Sequence, residues 1–129
     1  VGTAFLVADE CELADDNKDQ IIKGSSADFE IGRIFSGKTM RSYKNDIIRA
    51  WEKSGLEPLP MPYQKILMDD FNEAAATAQR WDLHSNPAGQ VAGLLKQRRP
   101  ARQIFDELVD GAIAAIEDLK RGIAPPTGT

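Results

Sequence analysis

The 129-residue sequence contains one cysteine, Cys11, and one histidine, His84. A single cysteine cannot form an intramolecular disulfide bond or supply a paired-cysteine metal motif. Structural zinc sites take four ligands, mainly from cysteine and histidine, so this composition argues against one. We therefore expect no metal site and a reduced, cytoplasmic setting.

The chain also lacks a basic charge excess and a long apolar segment. Its 16 Lys and Arg residues are outnumbered by 20 Asp and Glu residues, for a net charge of −4. A general nucleic-acid binder needs a basic surface to neutralise phosphates, so nucleic acid is not an expected partner. No apolar run approaches the roughly 20 residues that cross a bilayer, so no membrane contact is expected. The apolar start also lacks the basic leader and cleavage region of a secretory signal.

The chain starts at Val1, directly in an apolar stretch. Val1–Val7 (VGTAFLV) contains β-branched and aromatic residues and is followed by acidic Asp9 and Glu10. A short continuous apolar run of this kind predicts a strand that is buried on both faces. Such a strand needs neighbours on both sides, and the sequence offers none nearby. We therefore expect this chain to be a fragment of a larger protein.

The first half of the remaining sequence predicts a helix, a hairpin and a second helix. Asp15–Lys23 is compatible with a helix and is followed by a Gly-Ser-Ser stop signal. Residues 29–45 contain two short apolar segments about Ser36-Gly37, which favour a β-hairpin. Asn45 is positioned to cap a helix that ends near Ser54.

The second half predicts a connector and three helices. Three prolines make Leu56–Pro62 an extended connector. Tyr63–Trp81 has the 3.6-residue apolar period of a helix, and Ala88–Lys96 is a small-residue helix candidate. Pro100 suits the first turn of a last helix that runs to about Arg121. The expected apolar positions are Ile66, Leu67, Phe71, Ala74, Ala75 and Ala78 in the first of these helices, and Ile104, Leu108, Ile113 and Ile116 in the last.

The Gly2-Thr3 pair is the first feature with chemical meaning. In a parallel barrel, the loops after the last two strands commonly bind a phosphate. Glycine lets an anion approach the backbone, and Thr3 offers both an N–H group and a hydroxyl. A structural Gly-Thr pair in a core strand is the simpler interpretation of this dipeptide alone.

Other distinctive side chains have structural interpretations. His84 lies in an LHSNP loop and is interpreted as a surface or capping residue. Trp51 and Trp81 are interpreted as packing residues. The basic cluster 96–99 is interpreted as a solvated helix end, where cations interact favourably with the helix dipole, and an anion site is the alternative.

Several blocks of the sequence resemble, in order, the nitronate monooxygenase (2-nitropropane dioxygenase) family. Residues 2–10 (GTAFLVADE) resemble the family's GTAFL-x-x-x-E segment, and residues 36–45 (SGKTMRSYKN) resemble its G-[RK]-x-x-R-x-x-x-N stretch. Residues 62–64 (PYQ) and the helix after them fit next. Residues 87–94 (PAGQVAGL) are similar to its A-G-Q-x-A-G-L segment, and residues 99–108 are similar to the stretch that closes these proteins.

The resemblance implies an α/β fold, namely the C-terminal portion of a TIM barrel with an inserted, mainly helical α+β substrate domain. Residues 1–24 would form the last barrel strand and the following helix. Residues 25–87 would form the substrate-covering second domain, and residues 88–122 the closing helices that return to the barrel. Residues 123–129 would be a disordered tail.

The resemblance also implies a cofactor, FMN, and a reaction, the oxidation of alkyl nitronates with molecular oxygen. Val1, Gly2 and Thr3 would hold part of the FMN phosphate. Gly89 and Gln90 would lie at the substrate pocket, although small residues there also suit close helix packing. The implied partners are a small-molecule nitronate, O2 and the missing N-terminal barrel portion.

The family's catalytic histidine and first phosphate-binding loop lie upstream of the matching region. His84 matches no catalytic position of the family, so no catalytic residue is expected in this chain. The fragment alone should therefore be inactive. Two alternatives stay open: an enzyme like the flavin-dependent enoyl-acyl-carrier-protein reductases, and a non-catalytic helical interaction module.

Overall fold

Helices carry most of the regular backbone structure in the computed structural model, which describes residues 1–123. Three short 3-10 helices accompany them, at Ser26–Asp28, Trp81–Leu83 and Gln90–Leu94. The α-helices are α1 (Gly2–Leu6), α2 (Asp15–Lys23), α3 (Asp46–Ser54), α4 (Tyr63–Thr77) and α5 (Ala101–Ile123), and the strands are β1 (Phe29–Gly32) and β2 (Met40–Tyr43).

A β-hairpin lies between two apolar cores. β1 and β2 pair in antiparallel register, with Phe29 opposite Tyr43 and Gly32 opposite Met40. Because side chains alternate between the two faces of a strand, Phe29 and Tyr43 contact one core while Met40 contacts the other. The first core contains Val7, Ile21, Phe29, Ala88, Ala92 and Leu95, and the second contains Ile34, Phe35, Ile48 and Met68. The hairpin predicted from the turn residues is confirmed.

Local signals also set the ends of α3 as predicted. The side-chain oxygen of Asn45 accepts a hydrogen bond from the N–H of Ile48 at 3.2 Å, which caps the helix. Gly55 follows the helix in the left-handed conformation, with φ 70°. The side-chain amide of Asn45 also donates to the carbonyl oxygens of Asp82 and His84, at 3.2 and 2.9 Å. The cap therefore ties α3 to a distant loop.

The predicted strand at Val1–Val7 is wrong, because Gly2–Leu6 forms α1. A strand must pair its N–H and C=O groups with a neighbouring strand. Within residues 1–123, the nearest such pairing is a single parallel bridge between Ala8 and Arg99. A helix pairs these groups within the segment itself. The predicted burial is nevertheless correct at Val7, which is only 1% exposed.

Two other predicted helices differ in extent. α4 ends at Thr77 instead of Trp81, because Gln79 takes a left-handed φ of 55°. The N–H of Arg80 then donates to Ala75 O at 2.8 Å, which closes the helix in a Schellman-type end. The predicted helix at Ala88–Lys96 is a shorter 3-10 helix.

The buried face of α4 also differs from the prediction. Ile66 and Leu67 are exposed, whereas Gln64 and Met68 are buried. The amide of Gln64 explains this orientation, since Nε2 donates to Ile34 O at 2.5 Å and Oε1 accepts from the N–H of Leu59 at 2.9 Å. A buried side chain that satisfies two backbone groups sets which face of the helix turns inward.

The last helix begins where predicted, directly after Pro100, and continues to the end of the described residues. Ile104 is buried, but most of the other predicted apolar positions are exposed. α5 therefore presents an apolar face that the described residues do not cover. Of the tail predicted at residues 123–129, Ile123 is wrong because it belongs to α5, and residues 124–129 lie outside the described residues.

The basic cluster is not a solvated helix end. Arg98 forms ion pairs with Asp15 and Asp19 of α2, at 2.6 and 3.2 Å. Arg99 pairs with Glu107, and Lys96 donates to Gly24 O at 3.3 Å. The cluster therefore joins the region before α5 to α2 and to α5 itself.

Candidate functional site

One residue of the cofactor site that the resemblance implies, Thr3, contacts one residue of the implied substrate pocket, Gly89. The N–H of Gly89 donates to the hydroxyl oxygen of Thr3 at 3.0 Å, across 86 positions of sequence. Thr3 is almost fully buried, at 9% exposure. A hydroxyl oxygen that accepts one hydrogen bond keeps its own proton to donate. Thr3 can therefore donate one hydrogen bond to a further group.

The start of α1 is open around this contact. The first hydrogen bond of α1 runs from the N–H of Ala4 to Val1 O at 3.0 Å, so the helix itself supplies no acceptor for the N–H groups of Gly2 and Thr3. A Cβ atom added at Gly2 would meet no atom within 4 Å. Val1, which precedes Gly2, and Gln90, which follows Gly89, are both exposed. A five-residue helix has few aligned peptide dipoles, so the site offers hydrogen-bond donors more than a helix field.

Gly89 is held by a short segment that pairs alongside β2. The N–H of Tyr43 donates to Asn86 O at 3.1 Å, and the N–H of Ala88 donates to Arg41 O at 3.2 Å. Through these two hydrogen bonds, residues 86–88 lie beside β2 as a third strand would. They make too few hydrogen bonds to count as a regular strand. The hairpin thus sets the position of the peptide that contacts Thr3.

Asn86 joins this segment to α2, and the sequence analysis missed it. Its side chain is 1% exposed. Its Nδ2 donates to Asn17 O and to Gln20 Oε1, both at 2.8 Å. Its backbone N–H donates to Ser42 Oγ at 2.9 Å. The polar LHSNP loop was the available sequence signal, and it indicated a cap instead of a buried network.

A buried lysine fixes the other end of α1. Lys18 is 4% exposed, and its Nζ donates to the carbonyl oxygen of Ala8 at 2.8 Å. Ala8 follows α1 by two residues, so this bond ties the segment after α1 to α2. α1 is therefore held by Lys18 after its C-terminal end and by Gly89 near its N-terminal end.

An apolar cavity of about 130 Å³ lies on the opposite side of the hairpin. Ile34, Phe35 and Ile48 contribute to its lining, and Glu30 and Glu52 carry the charge there. Lys44 binds both carboxylates at 2.7 Å. Its hydrogen bonds to Glu30 and then Glu52 raise the pKa of Lys44, and the bond from Lys44 lowers the pKa of Glu52.

This cavity belongs to the second core. Thr3 and Gly89 lie with the first core, because their sequence neighbours Ala4 and Ala88 pack there. Neither Thr3 nor Gly89 contributes to the lining of the cavity, which is therefore separate from the Thr3–Gly89 site.

His84 and Trp51, which the sequence analysis named, make packing contacts in the structure. The ring of His84 lies 5.2 Å from that of Trp81, and its Nε2 is buried without a hydrogen-bond partner among residues 1–123. His84 is thus a half-buried packing residue instead of a surface one. Trp51 packs against the second core and donates from Nε1 to Leu56 O at 2.7 Å. Cys11 is a half-buried free thiol.

Within residues 1–123, no helix combines the length and apolar character needed to cross a membrane. The same part of the chain holds no cluster of three or more His, Cys, Asp and Glu side chains arranged for a metal ion.

Comparison with known sequences gives matches along most of the chain. The family model for nitronate monooxygenase matches residues 1–111. A Bacillus subtilis protein assigned as a nitronate monooxygenase is 29% identical over 108 residues, which are 84% of this chain and 31% of that protein. A Mycobacterium tuberculosis protein assigned as a monooxygenase is 29% identical over 126 residues, which are 92% of this chain and 34% of that protein. The chain spans about a third of the length of these relatives.

Comparison with solved structures gives similar folds. FabK from Thermotoga maritima superposes with a TM-score of 0.71 at 23% identity, covering 94% of this chain and 38% of that one. A single-residue variant of FabK from the same organism gives a TM-score of 0.65 at 21% identity, covering 94% of this chain and 35% of that one. At such identities the likeness concerns the fold, which has mixed α and β content.

Proposed function

Because this chain belongs to the nitronate monooxygenase family, we propose that it forms part of a flavin-dependent oxidoreductase that oxidises alkyl nitronates with O2. The observation that carries the proposal is the hydrogen bond between Gly89 and Thr3. It joins Thr3, which is proposed for the cofactor site, to Gly89, which is proposed for the substrate pocket. FMN is the proposed cofactor.

The groups at the start of α1 fit one side of a phosphate. Phosphate oxygens accept hydrogen bonds, and this region offers the N–H groups of Gly2 and Thr3 together with the Thr3 hydroxyl proton. The open space at Gly2 leaves room for the anion to approach. We place Val1 beside the same phosphate. When bound, FMN supplies the redox chemistry, and these residues bind and orient it.

Residues 25–87 are proposed to cover the substrate. This segment contains the hairpin, α3 and α4, and it is followed directly by Ala88 and by Gly89, which contacts Thr3. The substrate pocket is proposed at Gly89 and Gln90, where the covering segment meets the start of α1. Residues 1–24 and 88–122 are proposed to belong to the barrel.

The apolar face of α5 supports a further part of the proposal, that the rest of a barrel packs there. Ile116 and Leu119, one turn apart, are 52% and 63% exposed. Phe105 lies on the same side of the helix and is 55% exposed. A contiguous apolar surface of this kind marks a contact with other polypeptide. The chain by itself is therefore proposed to be inactive and to need that polypeptide.

Charges on this face should prevent the contact. Ile116→Asp combined with Leu119→Asp should change the stability of the chain alone by less than about 1 kcal/mol, because both side chains are already exposed. Binding to a separately produced barrel portion of a nitronate monooxygenase should weaken by at least about tenfold, because the interface would bury two carboxylates. Urea denaturation and titration calorimetry measure the two effects.

The control for this variant adds the same charge elsewhere on α5. Gln103→Asp combined with Ala114→Asp places two carboxylates on exposed positions of the polar side. Binding of this control should match the unsubstituted chain. Equal weakening by both double variants would refute the assignment of the face.

The complete protein, with its barrel portion, should carry FMN visible in its absorption spectrum. Thr3→Val should raise the FMN dissociation constant by about tenfold or more, because it removes a hydroxyl that would bond a charged group. Gly2→Val should have a similar effect, because its side chain would fill the space through which the phosphate approaches the backbone. Gly2→Val has room in the described structure, so loss of FMN in that variant reports the site and not misfolding. Gly32→Val also has room and should leave FMN affinity unchanged.

Turnover distinguishes the enzymatic interpretations. Oxygen uptake with propyl nitronate is the expected activity of the complete protein. NADH consumption with an enoyl thioester, without that oxygen uptake, would favour the reductase alternative. A complete protein without bound flavin would contradict both the monooxygenase and the reductase interpretations. It would favour the non-catalytic interaction module.

A further inference from the structure

Arg41 joins three separate segments of the chain. From β2, its Nη1 donates to Ala88 O at 2.8 Å and to Gly89 O at 2.7 Å. Its Nη2 donates to the carbonyl oxygen and the hydroxyl of Ser26, at 2.8 and 3.0 Å. The guanidinium carbon lies 4.9 Å from the centroid of the Phe29 ring, which supports it from one side.

The planar shape of the Arg41 guanidinium group accounts for these contacts. Its two terminal nitrogens serve acceptors in different segments, which a planar fork can do and a single ammonium group cannot. All four acceptors are neutral. Among residues 1–123, no carboxylate lies within ion-pair distance of Arg41. An ion pair therefore does not account for its placement.

One contact of Arg41 and the contact of Thr3 share a single peptide group. The carbonyl of Ala88 and the N–H of Gly89 belong to the same planar unit, and they point in opposite directions when the peptide is trans. Arg41 binds the carbonyl side, and Thr3 accepts from the N–H side. A cation at the carbonyl polarises the peptide and strengthens its N–H as a donor.

We propose that Arg41 is a positioning residue, which clamps and polarises the Ala88–Gly89 peptide so that its N–H orients the Thr3 hydroxyl towards the cofactor phosphate. The cofactor part of this inference rests on the proposed function. The clamp itself is a property of the chain and is testable without a flavin.

Hydrogen exchange at the Gly89 amide tests the clamp in the full chain. Arg41→Ala should speed exchange of this amide by about tenfold, the effect of losing a hydrogen bond to a charged group. The amide of Ile48 in α3 should not change. Arg41→Lys keeps the charge and should still leave Gly89 exchanging several-fold faster, whereas added guanidinium ion should slow exchange again in Arg41→Ala. Arg49→Ala, an exposed arginine on α3, is the control.

Three results would overturn the clamp. They are unchanged exchange at Gly89 in Arg41→Ala, full protection in Arg41→Lys, and an equal rise at Gly89 and Ile48. The last would mean that Arg41 contributes only to global stability.

FMN affinity of the complete protein tests whether the clamp acts through Thr3. Arg41→Ala should weaken FMN binding by about tenfold, but by less than about twofold when Thr3→Val is already present, because the two residues act on one contact. Independent effects that multiply would overturn this coupling. If the complete unsubstituted protein holds no FMN, the proposed function fails, while exchange at Gly89 still decides the role of Arg41.

Discussion

Replacement of Gly37 by alanine should lower the free energy of unfolding by about 3 to 5 kcal/mol. Gly37 has a left-handed φ of 81°, where a side chain costs roughly 1 to 2 kcal/mol. A Cβ atom there would also lie 2.7 Å from Leu59 O and closer still to the backbone nitrogen of Met61. These are backbone atoms and cannot rotate away as the end of a side chain can.

The proline-rich connector cannot easily move to relieve this contact. The N–H of Leu59 donates to the buried side chain of Gln64, which also binds Ile34 O in the second core. Shifting the connector would therefore break buried hydrogen bonds, which cost about 1 to 3 kcal/mol each when left unmade.

Gly55 provides a matched control for Gly37. Its φ of 70° is also left-handed, but an added Cβ atom would meet nothing within 4 Å. Gly55→Ala should therefore cost only the backbone strain, about 1 to 2 kcal/mol. Urea denaturation followed by circular dichroism measures both. Equal losses in the two variants would show that the connector yields, contrary to this account.

Asn86→Asp should destabilise the chain by about 3 to 5 kcal/mol at neutral pH. The change keeps the shape of the side chain but replaces the Nδ2 donor with an oxygen. That oxygen would face Asn17 O and Gln20 Oε1, two acceptors that are now 2.8 Å away. Two hydrogen bonds would become repulsive contacts, and a charge would be buried at a position that is 1% exposed.

Protonation of the introduced carboxyl restores one donor. The loss of stability in Asn86→Asp should therefore be smaller at acidic than at neutral pH, when each is compared with the unsubstituted chain at the same pH. Asn72→Asp, on the half-buried side of α4, adds the same charge without removing a buried bond and should cost less than about 1 kcal/mol. A similar loss in both variants would contradict the role of the Asn86 network.

The hydrogen bonds of Asn86 also support the candidate site from outside. Asn86 connects α2 to the segment that carries Gly89, so its loss should also disturb the Thr3–Gly89 contact. Neither Asn86 nor Arg41 has a local sequence pattern that predicts this. Their acceptors include backbone carbonyls that are 69 and 47 positions away, and any carbonyl can accept. Sequence spacing carries no information about such pairs.

Signals that act over a few residues were sufficient to predict much of the fold. The cap at Asn45, the stop at Gly55, the turn at Gly37 and the start of α5 after Pro100 each depend on the chemistry of one or two positions. The family blocks also led to Thr3 and Gly89 as separate candidates. The contact between them required the structure, because nothing in either segment specifies the other.

The sequence by itself determined where most helices begin, because a helix start depends on the chemistry of one or two positions. Only the tertiary structure decided the backbone form of Val1–Val7, because an apolar run of that length suits a buried helix as well as a buried strand. The choice depends on whether the backbone N–H and C=O groups find partners in a neighbouring strand or within the segment. The tertiary structure also decided which face of α4 is buried. The buried hydrogen bonds of Gln64 outweigh the exposure of the Ile66 and Leu67 side chains.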